Sequence, residues 1–286
     1  MKLHTKMMAL LVAGAMVFAT GCSSSSTEST TEETTTTEES TESTEGTEAT
    51  EEGTETSAAT LEEGKLLMST NATFPPYEYY DGDTIVGIDA EIAAALAEKM
   101  GVELEIADME FESALAAVQT GQSDMVMAGV TVTEDRLENM DFTNSYATGV
   151  QVVIVPEDSD ITTIDDLEGK LIGVQQGTTG DIYCSDTPEN GGYGEENVQK
   201  FGSGPLAVEA LKNGQVDCVV IDNEPAKSYV EANEGLKILD TEFAVEDYAI
   251  GVAKGNTALL DELNAALDEL EADGTLQAIV DKYIHE

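Results

Sequence analysis

Short apolar stretches alternate with segments of helical periodicity through most of the chain, from residue 65 to residue 284. This alternation is typical of βαβ units, which build mainly parallel sheets with helices on their faces. We predict strands over 65–69, 102–106, 124–128, 150–155, 171–175, 198–201, 217–221, 236–239 and 248–253. The segments between them predict helices over 90–100, 111–120, 205–213, 223–232 and 257–272, with Asp89 as the N-cap of the first. The pattern restarts after Pro156, which predicts two α/β lobes.

The N-terminus has the features of an export signal. Lys2 and Lys6 precede an apolar run over 7–19, shorter than the ~20 residues that a membrane-spanning helix needs. Small residues then lead to Cys22, which resembles a lipobox, where the cysteine thiol is lipidated after cleavage. We expect a lipoprotein signal peptide over 1–22 and an extracytoplasmic protein anchored by lipid to the cell membrane. The alternative is an ordinary signal peptide with an incidental cysteine.

The next segment, 23–62, is rich in Ser, Thr and Glu. Its first 38 residues contain 11 Glu, no Lys or Arg, and no apolar side chain larger than Ala. Such a composition cannot bury enough apolar surface to offset the entropy of ordering the chain. We predict a disordered linker, either a spacer that lifts a folded domain off a membrane or a tether without a selected role.

Charge and histidine content exclude several classes of function. The formal net charge is -46, so the chain repels nucleic acids and anionic lipid headgroups. The two histidines stand at positions 4 and 285, so no interior histidine serves a Ser-His-Asp centre, a Cys-His centre or a zinc site. The loop at 176–180 lacks the Lys-Ser/Thr of a P-loop, and 81–83 is typical of a turn rather than a calcium loop. We expect no metal, no cofactor and no nucleic-acid partner.

Polar and aromatic residues follow the predicted strands at their carboxyl ends, where open parallel sheets bind ligands. They provide one cation, one carboxylate, several amides and hydroxyls, and aromatic rings, a set that complements a small zwitterion. The candidate ligand-binding residues are Asn71, Phe74, Phe111, Ala128, Gly129, Thr131, Arg136, Gln176, Thr178, Thr179 and Asp222.

Arg136 is the only arginine in the chain. Its planar guanidinium can hold a carboxylate through two parallel hydrogen bonds, which lysine does not reproduce. It also lies in the first turn of a predicted helix capped by Thr133, where free backbone N–H groups attract anions. The alternative is a surface salt bridge worth ~0–1 kcal/mol. Its position after a strand favours ligand binding.

Other candidates also have structural alternatives. Asp222 would bind an ammonium group or cap the helix that follows it. Phe74 and Phe111 would line a site or belong to the core, and the threonines would bind ligand or cap turns. Cys184 and Cys218 could form a disulfide in an exported protein, or stay two buried free thiols.

Several motifs resemble the polar amino-acid-binding proteins of ABC importers, solute-binding protein family 3. The matching segments are NATFPPYEY at 71–79, VGID at 86–89, DMVMAGVTVTEDR at 124–136, MDFT at 140–143, QGTT at 176–179, DCVVID at 217–222 and YAIG at 248–251. The resemblance extends over residues 65–284, nearly the whole predicted folded part.

The resemblance implies a type II periplasmic-binding-protein fold of the α/β class. Two lobes would be joined by two crossing strands, with lobe 1 over 63–149 and 246–286 and lobe 2 over 150–245. The lobes would close on one free L-amino acid, and the closed protein, a monomer, would deliver it to an ABC permease in the cytoplasmic membrane.

The resemblance also assigns the two ends of the amino acid to opposite lobes. Arg136 would hold the α-carboxylate, helped by Thr131 and Thr178. Asp222 would hold the α-ammonium together with the carbonyl group of Gly129.

The side chain of the amino acid would lie between Phe74 and Phe111. Asn71 stands where many relatives carry Asp, which removes a carboxylate from the side-chain pocket. Gln175 and Gln176 could supply neutral contacts instead, so the sequence leaves open whether the ligand is a basic or another polar amino acid.

Two other functions stay open at this stage. The same lobes could form a surface receptor that senses an amino acid without a permease. They could also carry a dehydratase-type enzyme whose general acid or base is an Asp or Glu. We expect a binding protein rather than an enzyme.

Overall fold

The computed structural model describes residues 60–284, so the predicted signal peptide, Cys22 and the linker up to residue 59 lie outside it. The strands are β1 Lys65–Thr70, β2 Thr73–Phe74, β3 Glu78–Asp81, β4 Thr84–Val86, β5 Glu103–Asp108, β6 Met125–Val126, β7 Met140–Pro156, β8 Ile172–Gln175, β9 Val198–Phe201, β10 Cys218–Asp222, β11 Leu236–Ile238 and β12 Ala244–Ala253. The helices are α1 Ile88–Met100, α2 Phe111–Gln119, α3 Glu134–Asn139, α4 Thr179–Ser185, α5 Gly204–Lys212, α6 Asn223–Ala232, α7 Thr257–Ala272 and α8 Thr275–Tyr283. Short 3₁₀ helices lie at Ile164–Leu167, Pro188–Asn190 and Glu195–Asn197.

One mixed sheet organises this part of the chain, in the order β5-β1-β6-β12-β7-β10-β8-β9 with β11 beside β7. β1 pairs in parallel with β5 and β6, and β8 pairs in parallel with β9 and β10. The long strands β7 and β12 run antiparallel to each other between these two parallel groups. We call the elements before β7 and after β12 lobe 1, and the elements between them lobe 2. The predicted α/β class is confirmed.

The two connecting strands are longer than predicted. β7 begins at Met140 rather than at residue 150, and β12 begins at Ala244 rather than at residue 248. Only every third residue of the first ten in β7 is buried, so no continuous apolar run marks this part of the strand. The predicted lobe boundaries at 149/150 and 245/246 fall inside these strands.

Asp89 does not cap α1, contrary to the prediction. Gly87 holds the N-cap position at φ +125°, where an added Cβ would stand 2.2 Å from the carbonyl oxygen of Tyr77. The fully buried Asp89 carboxylate accepts hydrogen bonds from the Gly129 N–H at 3.0 Å and the Tyr146 hydroxyl at 2.9 Å. Its side chain therefore joins α1 to the loop that follows β6.

The hydrophobic core lies between the sheet and its helices. Leu66, Met68, Ile154 and Val219 are fully buried in one cluster that extends through both lobes. Within residues 60–284, no helix has the length and apolar character that a membrane crossing requires.

Candidate ligand-binding site

A small cavity lies between the lobes, at the carboxyl ends of β1, β6, β8 and β10. Its lining comprises, from lobe 1, Asn71, Phe74, Glu78, Phe111, Ala128, Gly129, Thr131 and Arg136 and, from lobe 2, Gln175, Thr178, Thr179 and Asp222. Ten of the eleven predicted ligand-binding residues stand in this lining.

Arg136 is oriented by the first turn of α3, where the Thr133 hydroxyl accepts a hydrogen bond from its backbone N–H at 3.2 Å. The guanidinium donates to the carbonyl oxygens of Thr131 at 2.7 Å and Gly177 at 3.1 Å, and lies 5.4 Å from the centre of the Phe111 ring. The residue is only 7% exposed, so the surface salt-bridge alternative was wrong. Burial lowers the pKa of Arg136, but the guanidinium stays charged at neutral pH.

Asp222 ends β10 on the lobe 2 side of the cavity. It occupies the N-cap position of α6, but its side chain makes no capping hydrogen bond and instead accepts one from the Tyr248 hydroxyl. Burial, with a smaller contribution from the charge of Glu246 and against the hydrogen bond from Tyr248, raises the pKa of Asp222 to about 7. A cation in the cavity would favour the ionised form of this carboxylate.

Glu78 also lines the cavity, although sequence reasoning did not select it. The residue is fully buried, and neither oxygen of its carboxylate accepts a hydrogen bond from a donor within residues 60–284. Burial, and next the charge of Asp89, raises the pKa of Glu78 well above the usual glutamate range. A signal was present in the sequence, because Glu78 is the only charged residue in the otherwise apolar and aromatic run 74–80.

Asn71 and Gln175 form a direct contact between the lobes. The Nε2 group of Gln175 donates to Asn71 Oδ1 at 2.9 Å, while Gln175 Oε1 accepts from the Gly204 N–H at 3.1 Å. The Nδ2 group of Asn71 donates to the carbonyl oxygen of Met109 at 2.8 Å. Both amides are therefore fixed in orientation by backbone partners.

The threonine hydroxyls of the lining are used within the protein. Thr178 accepts a hydrogen bond from the Asp181 N–H at 3.3 Å and so caps α4. This is the capping role that the sequence offered as the alternative to ligand binding. Thr131 and Thr179 donate to one carboxylate oxygen of Glu246, at 3.0 and 2.9 Å.

The aromatic rings form the apolar walls. Phe74 and Phe111 are both buried and both line the cavity. Gly129 has φ +56°, and a Cβ added there would stand 2.8 Å from the Phe74 ring. This glycine lets the loop after β6 approach the ring closely.

The sequence matches the model of one protein family over residues 66–286, the bacterial extracellular solute-binding proteins, family 3. The chain belongs to this family. The type II periplasmic-binding-protein architecture implied by the motifs is confirmed by solved structures of amino-acid-binding proteins with the same fold.

Several relatives of this solute-binding protein carry ligand names. The arginine-binding extracellular protein ArtP of Bacillus subtilis (strain 168) is 33% identical over 234 residues, which cover 81% of this chain and 90% of that protein. A structure of an ancestral arginine-binding protein bound to arginine is 39% identical, with a TM-score of 0.72 over 77% of this chain and 98% of that one. A structure of an ancestral arginine-binding protein bound to glutamine is 39% identical, with a TM-score of 0.72 over 78% and 99%.

Gln176 lies outside the cavity of this solute-binding protein. Its side chain is exposed and donates to Glu112 Oε2 at 2.5 Å. Its neighbour Gln175, the last residue of β8, lines the cavity instead. Successive residues of a strand point to opposite faces, so a shift of one residue exchanges the two environments.

Cys184 and Cys218 are free thiols buried in one hydrophobic cluster of lobe 2. Burial raises the pKa of Cys218 to about 12 and also raises that of Cys184. Of the two alternatives, the structure therefore shows free thiols rather than a disulfide, and both cysteines serve as small apolar residues.

Proposed function

We propose that this solute-binding protein captures one free basic L-amino acid between its lobes and delivers it to an ABC permease. The observation that carries the proposal is the charge pattern of the cavity, where Arg136 supplies a cation and Asp222 and Glu78 supply two carboxyl groups. A basic L-amino acid has the complementary set, with one carboxylate, one α-ammonium and one side-chain cation. The name of the relative ArtP supports the same ligand class.

The two ends of the ligand would bind to different lobes. Arg136 of lobe 1 would hold the α-carboxylate, and Asp222 of lobe 2 would hold the α-ammonium. A ligand that contacts both lobes binds the closed arrangement better than an open one, and this difference drives closure. Hydrogen bonds to charged groups contribute ~1.5–3 kcal/mol each. Four to six of them, less the costs of association and closure, would give roughly the -8 kcal/mol of a micromolar binder.

The side chain would be recognised beyond the aromatic walls. Its aliphatic part would pack against Phe74 and Phe111, and its cation would meet Glu78, whose oxygens accept no hydrogen bond from the described part of the chain. A neutral amide ligand such as glutamine is the second candidate, because the Asn71–Gln175 pair offers amide groups in the same cavity. The structure of an ancestral arginine-binding protein bound to glutamine supports this second candidate.

Mass spectrometry of the small molecules that the gently purified protein retains tests the proposal. We expect one free basic amino acid in an amount equal to that of the protein. Retained glutamine would favour the second candidate. A chemically altered product would favour an enzyme, and the absence of any amino acid would contradict binding.

We further propose that the protein is a monomer held on the outer side of the cytoplasmic membrane by lipid on Cys22, with 23–62 as a spacer. Lobe 1 would comprise 63–149 and 246–286, and lobe 2 would comprise 150–245. Globomycin, which blocks lipoprotein signal cleavage, should make the uncleaved precursor accumulate. Normal processing in its presence would exclude the lipid anchor.

A further inference from the structure

Glu246 is a buried carboxylate on β12 that does not line the cavity. One of its oxygens, Oε2, accepts three hydrogen bonds. The donors are the hydroxyls of Thr131 at 3.0 Å and Thr179 at 2.9 Å and the Nε2 group of Gln151 at 3.1 Å. Hydrogen bonds to an ionised acceptor in a buried site are among the stronger ones in proteins.

The three donors come from separate parts of the molecule. Thr131 belongs to the loop after β6 in lobe 1, Thr179 begins α4 in lobe 2, and Gln151 lies in the connecting strand β7. Glu246 itself lies on the other connecting strand, opposite Gly149 of β7. A single oxygen atom therefore joins both lobes at the strands about which they would move.

The same carboxylate acts on Arg136 through charge and through Thr131. Burial lowers the pKa of Arg136, and Glu246 is the foremost charge that counters this effect. The Thr131 carbonyl accepts from the guanidinium at 2.7 Å, while its hydroxyl donates to Glu246 at 3.0 Å. A continuous set of contacts thus runs from Arg136 through Thr131 and Glu246 to Thr179.

We propose that Glu246 is a positioning residue that latches the two lobes together and thereby sets the lifetime of the ligand complex. This inference rests on the proposed function, because it assigns Glu246 to the closed arrangement of the same site. Glu246 does not line the cavity, so it would act through Thr131 and Thr179, which do. Its loss should speed dissociation more than it changes association, because these contacts hold the closed arrangement from which the ligand must escape.

The test compares Glu246→Gln with Asp247→Asn, which removes a carboxylate from the exposed neighbouring residue. Binding of L-arginine is followed by stopped-flow fluorescence and calorimetry. For Glu246→Gln we expect a dissociation rate about tenfold higher, an association rate within about twofold of wild type, and a correspondingly weaker affinity. Asp247→Asn should match wild type.

Hydrogen exchange without added amino acid tests the latch independently of ligand binding. Glu246→Gln should exchange faster in the segments that contain Thr131 and Thr179, whereas Asp247→Asn should not. If wild type binds no amino acid, the proposed function fails, and this exchange arm still decides the latch. Unchanged exchange in these segments would overturn the latch.

A second variant covers the case in which Glu246→Gln does not fold. Thr179→Val removes the lobe 2 donor with little change of shape, and it should also raise the dissociation rate. In a folded double variant the two effects should be less than additive, because they break the same contact. Additive effects, or tighter binding by Glu246→Gln, would overturn the proposal. Tighter binding would mean that Glu246 competes with the ligand for the hydroxyls.

Discussion

The two ends of the cavity differ in how far the protein itself satisfies their charged groups. At one end, Arg136 donates to two backbone carbonyl oxygens and lies over the Phe111 ring. At the other, Glu78 is fully buried, and its carboxylate oxygens accept no hydrogen bond from a donor within residues 60–284. The guanidinium is thus satisfied by the protein, whereas the neighbour of the Glu78 carboxyl group is a second carboxyl group, that of Asp89.

Because of this difference, we expect one end of the cavity to set the affinity for amino acids in general and the other to select among their side chains. Every amino acid carries an α-carboxylate, so the Arg136 end would bind all of them in the same way. Only a ligand with a second cation would offset the free-energy cost of ionising the buried carboxyl group of Glu78. We therefore expect changes at Arg136 to weaken all ligands and changes at Glu78 to alter the order among them.

The largest effect is expected for Arg136→Ala. Hydrogen bonds to charged groups contribute ~1.5–3 kcal/mol each, so loss of the guanidinium should weaken L-arginine and L-glutamine alike by ~100-fold or more. Isothermal titration calorimetry measures the affinities, and circular dichroism checks the fold. Lys254→Ala, which removes an exposed lysine of lobe 1, is the control. Unchanged affinity in Arg136→Ala would remove this residue from the site.

Glu78→Gln should act on one class of ligand only. The variant keeps the shape but cannot ionise beside a bound cation, so affinity for L-arginine and L-lysine should fall by roughly tenfold or more, while L-glutamine should bind no worse. Asp81→Asn, an exposed carboxylate on the same strand β3, is the matched control for calorimetry. Equal losses for arginine and glutamine would show that Glu78 does not select the side chain.

Because the pKa of Asp222 is raised, we expect ligand affinity and protein stability to change in opposite directions with pH. With a pKa raised to about 7, Asp222 is largely protonated at pH 6, and affinity for an amino acid should be about tenfold lower there than at pH 8. The same raised pKa means that stability without ligand falls as the pH rises from ~4 through ~7, because ionisation is less favourable in the folded chain. Glu78 and Asp89, whose pKa values are also raised, add to this trend.

Calorimetry and thermal unfolding at pH 6 and pH 8 measure the two trends. Asp222→Asn should flatten the pH dependence of affinity. An affinity that is independent of pH in wild type would show that the α-ammonium does not bind to this carboxylate.

The smallest effect is expected for Gln176→Ala, just outside the cavity. Surface substitutions change free energies by ~0.5 kcal/mol or less, so affinity should stay within about twofold of wild type. A loss of tenfold or more in the titration would place Gln176 in contact with the ligand and extend the lobe 2 wall of the site.

Much of the fold followed from local signals. α7 and β9 have the predicted bounds, and a periodic apolar face marks the first of them. The first part of β7 was missed since its burial arises from pairing with the distant β12, which no local window contains. The Asp89 cap failed for a similar reason, because its partners Gly129 and Tyr146 are remote in sequence.

The site was predictable where residues stand at strand ends. Arg136 and Asp222, selected by position and charge, meet in one cavity. Glu78 was missed because it lies on β3, just beyond the loop that directly follows β1. The exchange between Gln175 and Gln176 depends on the strand register, which the sequence alone does not give.

The central claim is that this cavity recognises a zwitterion with a second positive charge. Calorimetric titration of the wild-type chain with L-arginine and with L-glutamine at pH 8 tests it most directly. We expect one arginine to bind per chain, at least ~10-fold more tightly than glutamine, since hydrogen bonds to a charged group are worth ~1.5–3 kcal/mol. No heat on addition of arginine, or tighter binding of glutamine, would contradict it.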